Sequence, residues 1–198
     1  MNVARILYPV QVLGPGKRVG IWVAGCPRRC KGCSNPELWT QRPEYEVSIE
    51  QLFSFIEAIA RDHEIDGFTI SGGDPMEQAE ELVQLVKYLT TISSDILVYT
   101  GYRIDALKEQ KNPAIESLLA AVSVLIDGEY MEELNDDSFL RGSSNQRVYV
   151  LNPDYQDKYE AYLSEGHNQI QNFTTVDGVV SVGIHHPTFR GLMHTENK

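Results

Sequence analysis

Between residues 18 and 165, short β-rich apolar runs alternate with amphipathic helical segments, and this alternation constrains the fold more than any other feature of the chain. RVGIWVAG (18–25), GFTISGG (67–73), DILVYTG (95–101), VSVLIDG (122–128) and QRVYVLN (146–152) read as strands. SIEQLFSFIEAIARDHE (48–64) places Leu52, Phe53, Ile56, Ile59 and Ala60 at helical spacing, behind a capping box of Ser48 and Gln51. MEQAEELVQLVKYLTTI (76–92) is a second amphipathic helix, IESLLAA (115–121) a third helical stretch, and a weak helix is expected near 154–165. Strand–helix alternation with short connections predicts an α/β domain with a mostly parallel sheet. The units are too few to close an eight-stranded barrel, which leaves an open partial (βα) barrel or a doubly wound sheet. Either arrangement puts ligands at the carboxyl ends of the strands.

The tail differs. QIQNFTTVDGVVSVGI (169–184) holds two β-rich runs joined by Asp177-Gly178, a hairpin signal. We expect residues 1–168 to form the core domain and 169–198 a C-terminal hairpin and tail appended to it, frayed after about residue 187.

The 198 residues suffice for one domain with a sizeable core. A net charge of −11 argues against nucleic-acid binding, which normally needs a basic face. No apolar run approaches the roughly 20 residues of a membrane span. The N-terminal MNVARILYPVQVLGPG lacks a signal-peptide core, so a cytoplasmic protein is expected. Lys17, Arg18, Arg28, Arg29 and Lys31 bracket the cysteines. They read either as a basic patch for an acidic partner or electron donor, or as an ordinary solvated loop.

All 3 cysteines lie within eight residues, as Cys26-Pro-Arg-Arg-Cys30-Lys-Gly-Cys33. A disulfide framework would spread an even number along the chain. Clustered thiolates are soft ligands for zinc or an iron–sulfur cluster. A four-iron cluster on three cysteines leaves one iron without a protein ligand and open to a substrate. The alternative is a zinc site completed by His63, His185 or His186. Ser71-Gly72-Gly73-Asp74-Pro75 follows a strand. Its glycines allow close backbone approach, and its carbonyls and the Asp74 carboxylate suit a ligand ammonium group. The same residues also read as a helix start, with Asp74 as N-cap, Pro75 at the first position and Glu77 closing a capping box. Gly14-Pro15-Gly16-Lys17-Arg18 by itself is a turn.

Taken in this order, the three motifs resemble the radical S-adenosylmethionine superfamily, and within it the small glycyl-radical-enzyme activating proteins. Gly25-Cys26, Asn35-Pro36-Glu37-Leu38-Trp39 and Gly72-Gly73-Asp74 match that pattern. Tyr99-Thr100-Gly101-Tyr102, Ile126-Asp127-Gly128 and Arg-Gly-Ser-Ser-Asn-Gln-Arg (141–147) bring the likeness to activators of anaerobic ribonucleotide reductase. The likeness spans roughly residues 8 to 152. The chain departs from the pattern at Gly32, often aromatic in the superfamily, at Asp74, commonly Glu, and at Leu13, commonly acidic.

The resemblance implies an open partial barrel of the radical type and a [4Fe-4S] cluster held by Cys26, Cys30 and Cys33. It implies S-adenosylmethionine on the open iron, with its amino group at Gly72, Gly73 and Asp74. Tyr99, Thr100, Gly101, Asp127 and Asn145 are further candidates for the cofactor pocket. Reductive cleavage would give methionine and a 5′-deoxyadenosyl radical, which abstracts hydrogen from a glycine of a large glycyl radical enzyme. A flavodoxin or ferredoxin would donate the electron. The competing readings are a radical enzyme acting on another peptide or a small molecule, and a non-enzymatic zinc or electron-transfer module. Adjacent His185 and His186 point to opposite faces if they lie on a strand, and both are read as surface residues.

Overall fold

A computed structural model describes residues 1–176 and 178–186. Asp177 of the expected hairpin turn, and the expected fraying after residue 187, lie outside the described residues. The elements follow in the order β1 (Val3–Val10), β2 (Arg18–Val23), α1 (Ile49–Asp62), β3 (Gly67–Gly72), α2 (Ala79–Leu89), β4 (Ile96–Tyr99) and α3 (Ile104–Glu109). Then come α4 (Pro113–Ala121), β5 (Val124–Asp127), β6 (Arg147–Val150), α5 (Gln156–Glu165), β7 (Ile170–Thr175) and β8 (Gly178–Gly183).

One six-stranded sheet runs β1 to β6 in chain order. β2 to β5 pair in parallel, and the edge strands β1 and β6 pair antiparallel to their neighbours. The order never reverses, so the doubly wound alternative does not hold. Alternation along each strand sorts the side chains onto two faces. Val19, Ile21, Val23, Phe68, Ile70, Ile96, Val98 and Leu125 share one core with the buried faces of α1 to α4. Trp22, Leu97, Val124 and Ile126 point the other way, toward β8 and α5. β7 and β8 form the expected antiparallel hairpin as a separate two-stranded sheet.

Local chemistry explains most boundaries. Ser48 accepts from the Gln51 amide while the Gln51 side chain accepts from the Ser48 amide, the expected capping box. Asp74 accepts from the Met76 amide at 3.1 Å and opens a 3-10 turn, Pro75–Gln78, ahead of α2. Glu77 does not close a capping box there; its carboxylate accepts from Tyr102 Oη at 2.5 Å. β1 and α3 are absent from the sequence reading. β1 is an edge strand carrying Pro9, with register shifts between Val3 and Arg5 and between Leu7 and Val10, so it lacks a clean alternating pattern. α3 has only six residues, too few for a helical period to show.

The Gly14–Arg18 turn serves the sheet at the end opposite the cysteines. Gly14 and Gly16 adopt φ of 130° and 81°. Arg18, wholly buried, reaches Thr69 Oγ1 at 2.7 Å and the Asp95 carboxylate at 3.1 Å.

Candidate active site

The cysteine loop begins where β2 ends, and backbone hydrogen bonds stitch it to its neighbours on both sides. The Gly25 and Cys26 amides donate to Leu38 O (2.8 Å) and Trp39 O (2.9 Å). The Gly73 and Asp74 amides donate to Val23 O (2.7 Å) and Gly25 O (2.8 Å). This second pair of bonds clamps the turn after β3 against the loop after β2. Gly72 permits the approach: its φ is 113°, and a Cβ there would meet the Val23 backbone nitrogen at 2.5 Å.

A cavity of about 180 Å³ opens at this junction. Cys26, Cys30, Cys33, Gly72, Gly73, Asp74, Tyr99, Thr100 and Gly101 all line it. Within the loop, the Arg28 and Arg29 amides donate to the Cys26 sulfur, and the Asn35 amide meets Cys33 Sγ at 3.4 Å. Burial raises the Cys26 thiol above its usual value. Burial, then the nearby Glu129 carboxylate, push Cys30 up to about 11.

Asp74 lines the cavity and is also hydrogen-bonded within the protein. Its side chain is 1% exposed, and its oxygens accept from Thr100 Oγ1 (2.8 Å), the Gly101 amide (3.0 Å) and the Met76 amide (3.1 Å). Arg28 Nε lies 3.7 Å from Oδ2. The carboxylate therefore braces the loop after β4 against the turn after β3. Burial raises its carboxyl pKa despite these hydrogen bonds. Tyr99 lines the cavity with its ring and donates from its hydroxyl to Leu140 O at 2.9 Å.

Two candidates are not brought to this cavity. The buried Asp127 carboxylate accepts from the Ile104 amide at 2.8 Å and from Arg103 at 3.4 Å, at the start of α3. Asn145 borders a neighbouring groove with Arg28, Arg103 and Arg147, and its amide donates to Glu129 O at 2.8 Å. Sequence reasoning missed Arg28 and Trp39 as site residues. Arg28 sits 4.0 Å from the Tyr102 ring centroid, and both Arg28 and Trp39 line the cavity. Their position inside or just after the cysteine motif was the available signal.

The histidines and the basic residues also need correction. His63 ends α1 and packs on Tyr8, with ring centroids 5.3 Å apart, and it does not line the cavity. His185 is half-buried and lines the cavity; His186 is exposed, as expected. Of the five basic residues, Arg18, Arg28 and Lys31 are drawn into separate ion pairs, while Lys17 and Arg29 are exposed. Arg18 is buried, Arg28 faces Asp74 and Glu129, and Lys31 pairs with Glu132 at 3.0 Å.

The donor set fits an iron–sulfur cluster. Three thiolates line one cavity, and cysteine thiolates are the usual ligands of iron–sulfur clusters. Arg28 Nε and Trp39 Nε1 are buried donors without a hydrogen-bond partner among the described residues. Such donors suit sulfide or carboxylate acceptors in the cavity.

Comparison with known proteins agrees with this geometry. The family model for a 4Fe-4S single cluster domain matches residues 12–149. The chain is 34% identical over 154 residues to the anaerobic ribonucleoside-triphosphate reductase-activating protein of Enterobacteria phage T4, covering 75% of this chain and 94% of that one. The proteins of the same name from Escherichia coli K12 and Vibrio cholerae are 33% and 35% identical, covering 73% and 72% of this chain and 96% and 94% of theirs. Three clustered cysteines at the strand ends, a clamped Gly-Gly-Asp turn beside them and these similarities show that the chain belongs to the family of anaerobic ribonucleoside-triphosphate reductase-activating proteins, built on a 4Fe-4S single cluster domain.

Proposed function

We propose that this chain cleaves S-adenosylmethionine reductively and generates a glycyl radical on a partner enzyme, with anaerobic ribonucleotide reductase as that partner. The observation that carries the reading is the shared cavity: Cys26, Cys30 and Cys33 on one side, the Gly72–Asp74 turn and Thr100–Gly101 on the other. Cys26, Cys30 and Cys33 would hold the cluster. When bound, it supplies one electron to S-adenosylmethionine, giving methionine and a 5′-deoxyadenosyl radical that takes a hydrogen atom from a glycine Cα. A flavodoxin or ferredoxin would deliver that electron.

The chain's own residues bind, orient and shield. The Gly72–Gly73 backbone offers carbonyls to the ammonium group of the methionine end. Asp74 holds Thr100 and Gly101 in place and adds negative charge on that side. Arg28, stacked on Tyr102 and 3.7 Å from Asp74 Oδ2, keeps the hydrogen-bonding capacity of its Nε for an anionic group. The reading takes the open sheet as a partial (βα) barrel, residues 1–168 as its core, and residues 169–198 as an appendage of the same domain.

Anaerobic reconstitution with iron and sulfide tests this. The full chain should gain iron-dependent absorbance and, with reductant, convert S-adenosylmethionine to methionine and 5′-deoxyadenosine. Adding the reductase should give a glycyl spin signal. Cys30→Ala should lose both iron loading and cleavage, because the sequence holds no spare cysteine. Zinc binding without cleavage, or cleavage retained in Cys30→Ala, would refute the reading.

A further inference from the structure

The C-terminal hairpin lies beyond residues 12–149, the part matched by the family model. The relatives are 94–96% covered by about three quarters of this chain, so this chain carries additional length. The structure gives the hairpin a definite place. At its start, Gln171 Oε1 accepts from the Gln11 amide at 3.0 Å and Gln171 Nε2 donates to Pro9 O at 2.7 Å, fastening β7 to the end of β1. Opposite Gln171 in the hairpin register, Val182 is 3% exposed and packs with Val10, Leu13, Trp22 and Leu38. At its end, His185 O accepts from Asn135 Nδ2 at 3.0 Å, in the connection between β5 and β6. The segment therefore crosses the sheet from its first strand to its last connection, on the face that α1 to α4 leave open. Along the way Ser181, Val182, Gly183, Ile184 and His185 line the cavity that holds the three cysteines.

We propose that Ser181–His185 form a built-in wall of the reaction chamber that excludes solvent and stray hydrogen donors. This inference rests on the radical chemistry proposed above. A primary carbon radical abstracts hydrogen from almost any nearby C–H or S–H bond, so its chamber must exclude solvent and stray donors. Here one wall is covalently part of the chain, packed by Val182 and latched at Gln171 and His185. In the proposed reaction the hydrogen atom passes from the donor's C–H bond to the deoxyadenosyl carbon, leaving 5′-deoxyadenosine and a radical on the donor, so atoms and electrons balance.

Two variants test the wall: a chain ending at His167, and Val182→Asp, which sets an unpaired carboxylate among Val10, Leu13 and Trp22. Circular dichroism checks that each is folded. If the shortened chain is not, Gln171→Ala takes its place and removes only the latch to β1. The first readout is alkylation of the three cysteines in the metal-free protein, expected to rise at least about threefold as the thiols become more accessible. The second is 5′-deoxyadenosine formed by the reconstituted protein without partner, expected to rise similarly relative to bound iron. Unchanged alkylation in folded variants overturns the wall, whatever the cluster does. Failure of the full chain to load iron or cleave S-adenosylmethionine overturns the radical reading instead, and leaves the alkylation result to judge the wall alone.

Discussion

Replacing Arg18 with methionine separates the structural role of the Gly14–Arg18 turn from the chemistry of the cysteines. Arg18 Nε donates to Thr69 Oγ1 at 2.7 Å, Nη1 to Pro15 O at 3.2 Å and Nη2 to Phe68 O at 2.5 Å. Nη2 also reaches the Asp95 carbonyl at 3.0 Å and the Asp95 carboxylate at 3.1 Å. Methionine fills similar volume but supplies no donor, so these buried acceptors lose their partner. Removing one member of a buried ion pair costs about 3–5 kcal/mol. Asp95 retains Lys158 and Tyr159, each at 2.6 Å, which places the expected loss near the lower end, about 3 kcal/mol. With a urea slope of about 2 kcal/mol per molar, the unfolding midpoint should fall by about 1.5 M. The assay is an anaerobic urea titration of the metal-free protein followed by circular dichroism. Iron loading of the folded variant should match the unaltered protein, because the turn and the cysteines occupy opposite ends of β2. A midpoint shift below about 0.5 M, or a folded variant that no longer takes iron, would refute this account.

The same network sets a pH dependence. Burial opposes the charged form of Asp95, but the Arg18 charge and hydrogen bonds from Arg18, Lys158 and Tyr159 outweigh it and hold the carboxyl below its usual range. The unfolded chain therefore takes up that proton first, and the stabilisation present above about pH 4 disappears as pH falls through the lowered value. The stability difference between the unaltered protein and Asp95→Asn should shrink as pH drops below about 4; a difference independent of pH would contradict this. Asp127→Ala should cost about 1–2 kcal/mol by urea titration through the lost bond to the Ile104 amide, with S-adenosylmethionine affinity unchanged. A tenfold or greater loss of affinity, about 1.4 kcal/mol, would return Asp127 to the pocket. Gly72→Ala combines an unfavourable φ with a clash on Val23, so it should destabilise by at least about 1–3 kcal/mol and weaken S-adenosylmethionine binding in equilibrium dialysis. Unchanged binding would show that the clamp between the β2 and β3 ends does not shape the site.

The elements with strong local signals were legible in the sequence. The Ser48–Gln51 capping box, the parallel strands ending at Val23, Gly72 and Tyr99, and the hairpin all follow from short-range patterns. β1 was not legible, because its partner alone makes it a strand and Pro9 obscures its alternation. The position of a candidate relative to a strand end was also an incomplete guide. Asp127 ends β5 just as Tyr99 ends β4, yet its carboxylate turns toward α3 rather than into the cavity. Side-chain direction at a strand end depends on what a neighbouring loop offers as a partner, and that partner lies 23 residues earlier in sequence, after β4.

By itself, the sequence determined the chemistry: three soft thiolates in one short loop, no fourth, and a glycine turn able to approach them. These follow from residue type and spacing, which need no long-range contact to read. Only the tertiary structure decided how the residues divide the work. It turned Asp74 inward as a brace, because a buried carboxylate must be satisfied by Thr100 and Gly101 once β4 lies beside β3. It removed Arg18 from any surface patch by burying it against Asp95. It also laid residues 181–185 beside Cys26, Cys30 and Cys33, which are far apart in sequence, since the open face of the sheet left apolar side chains that Val182 covers.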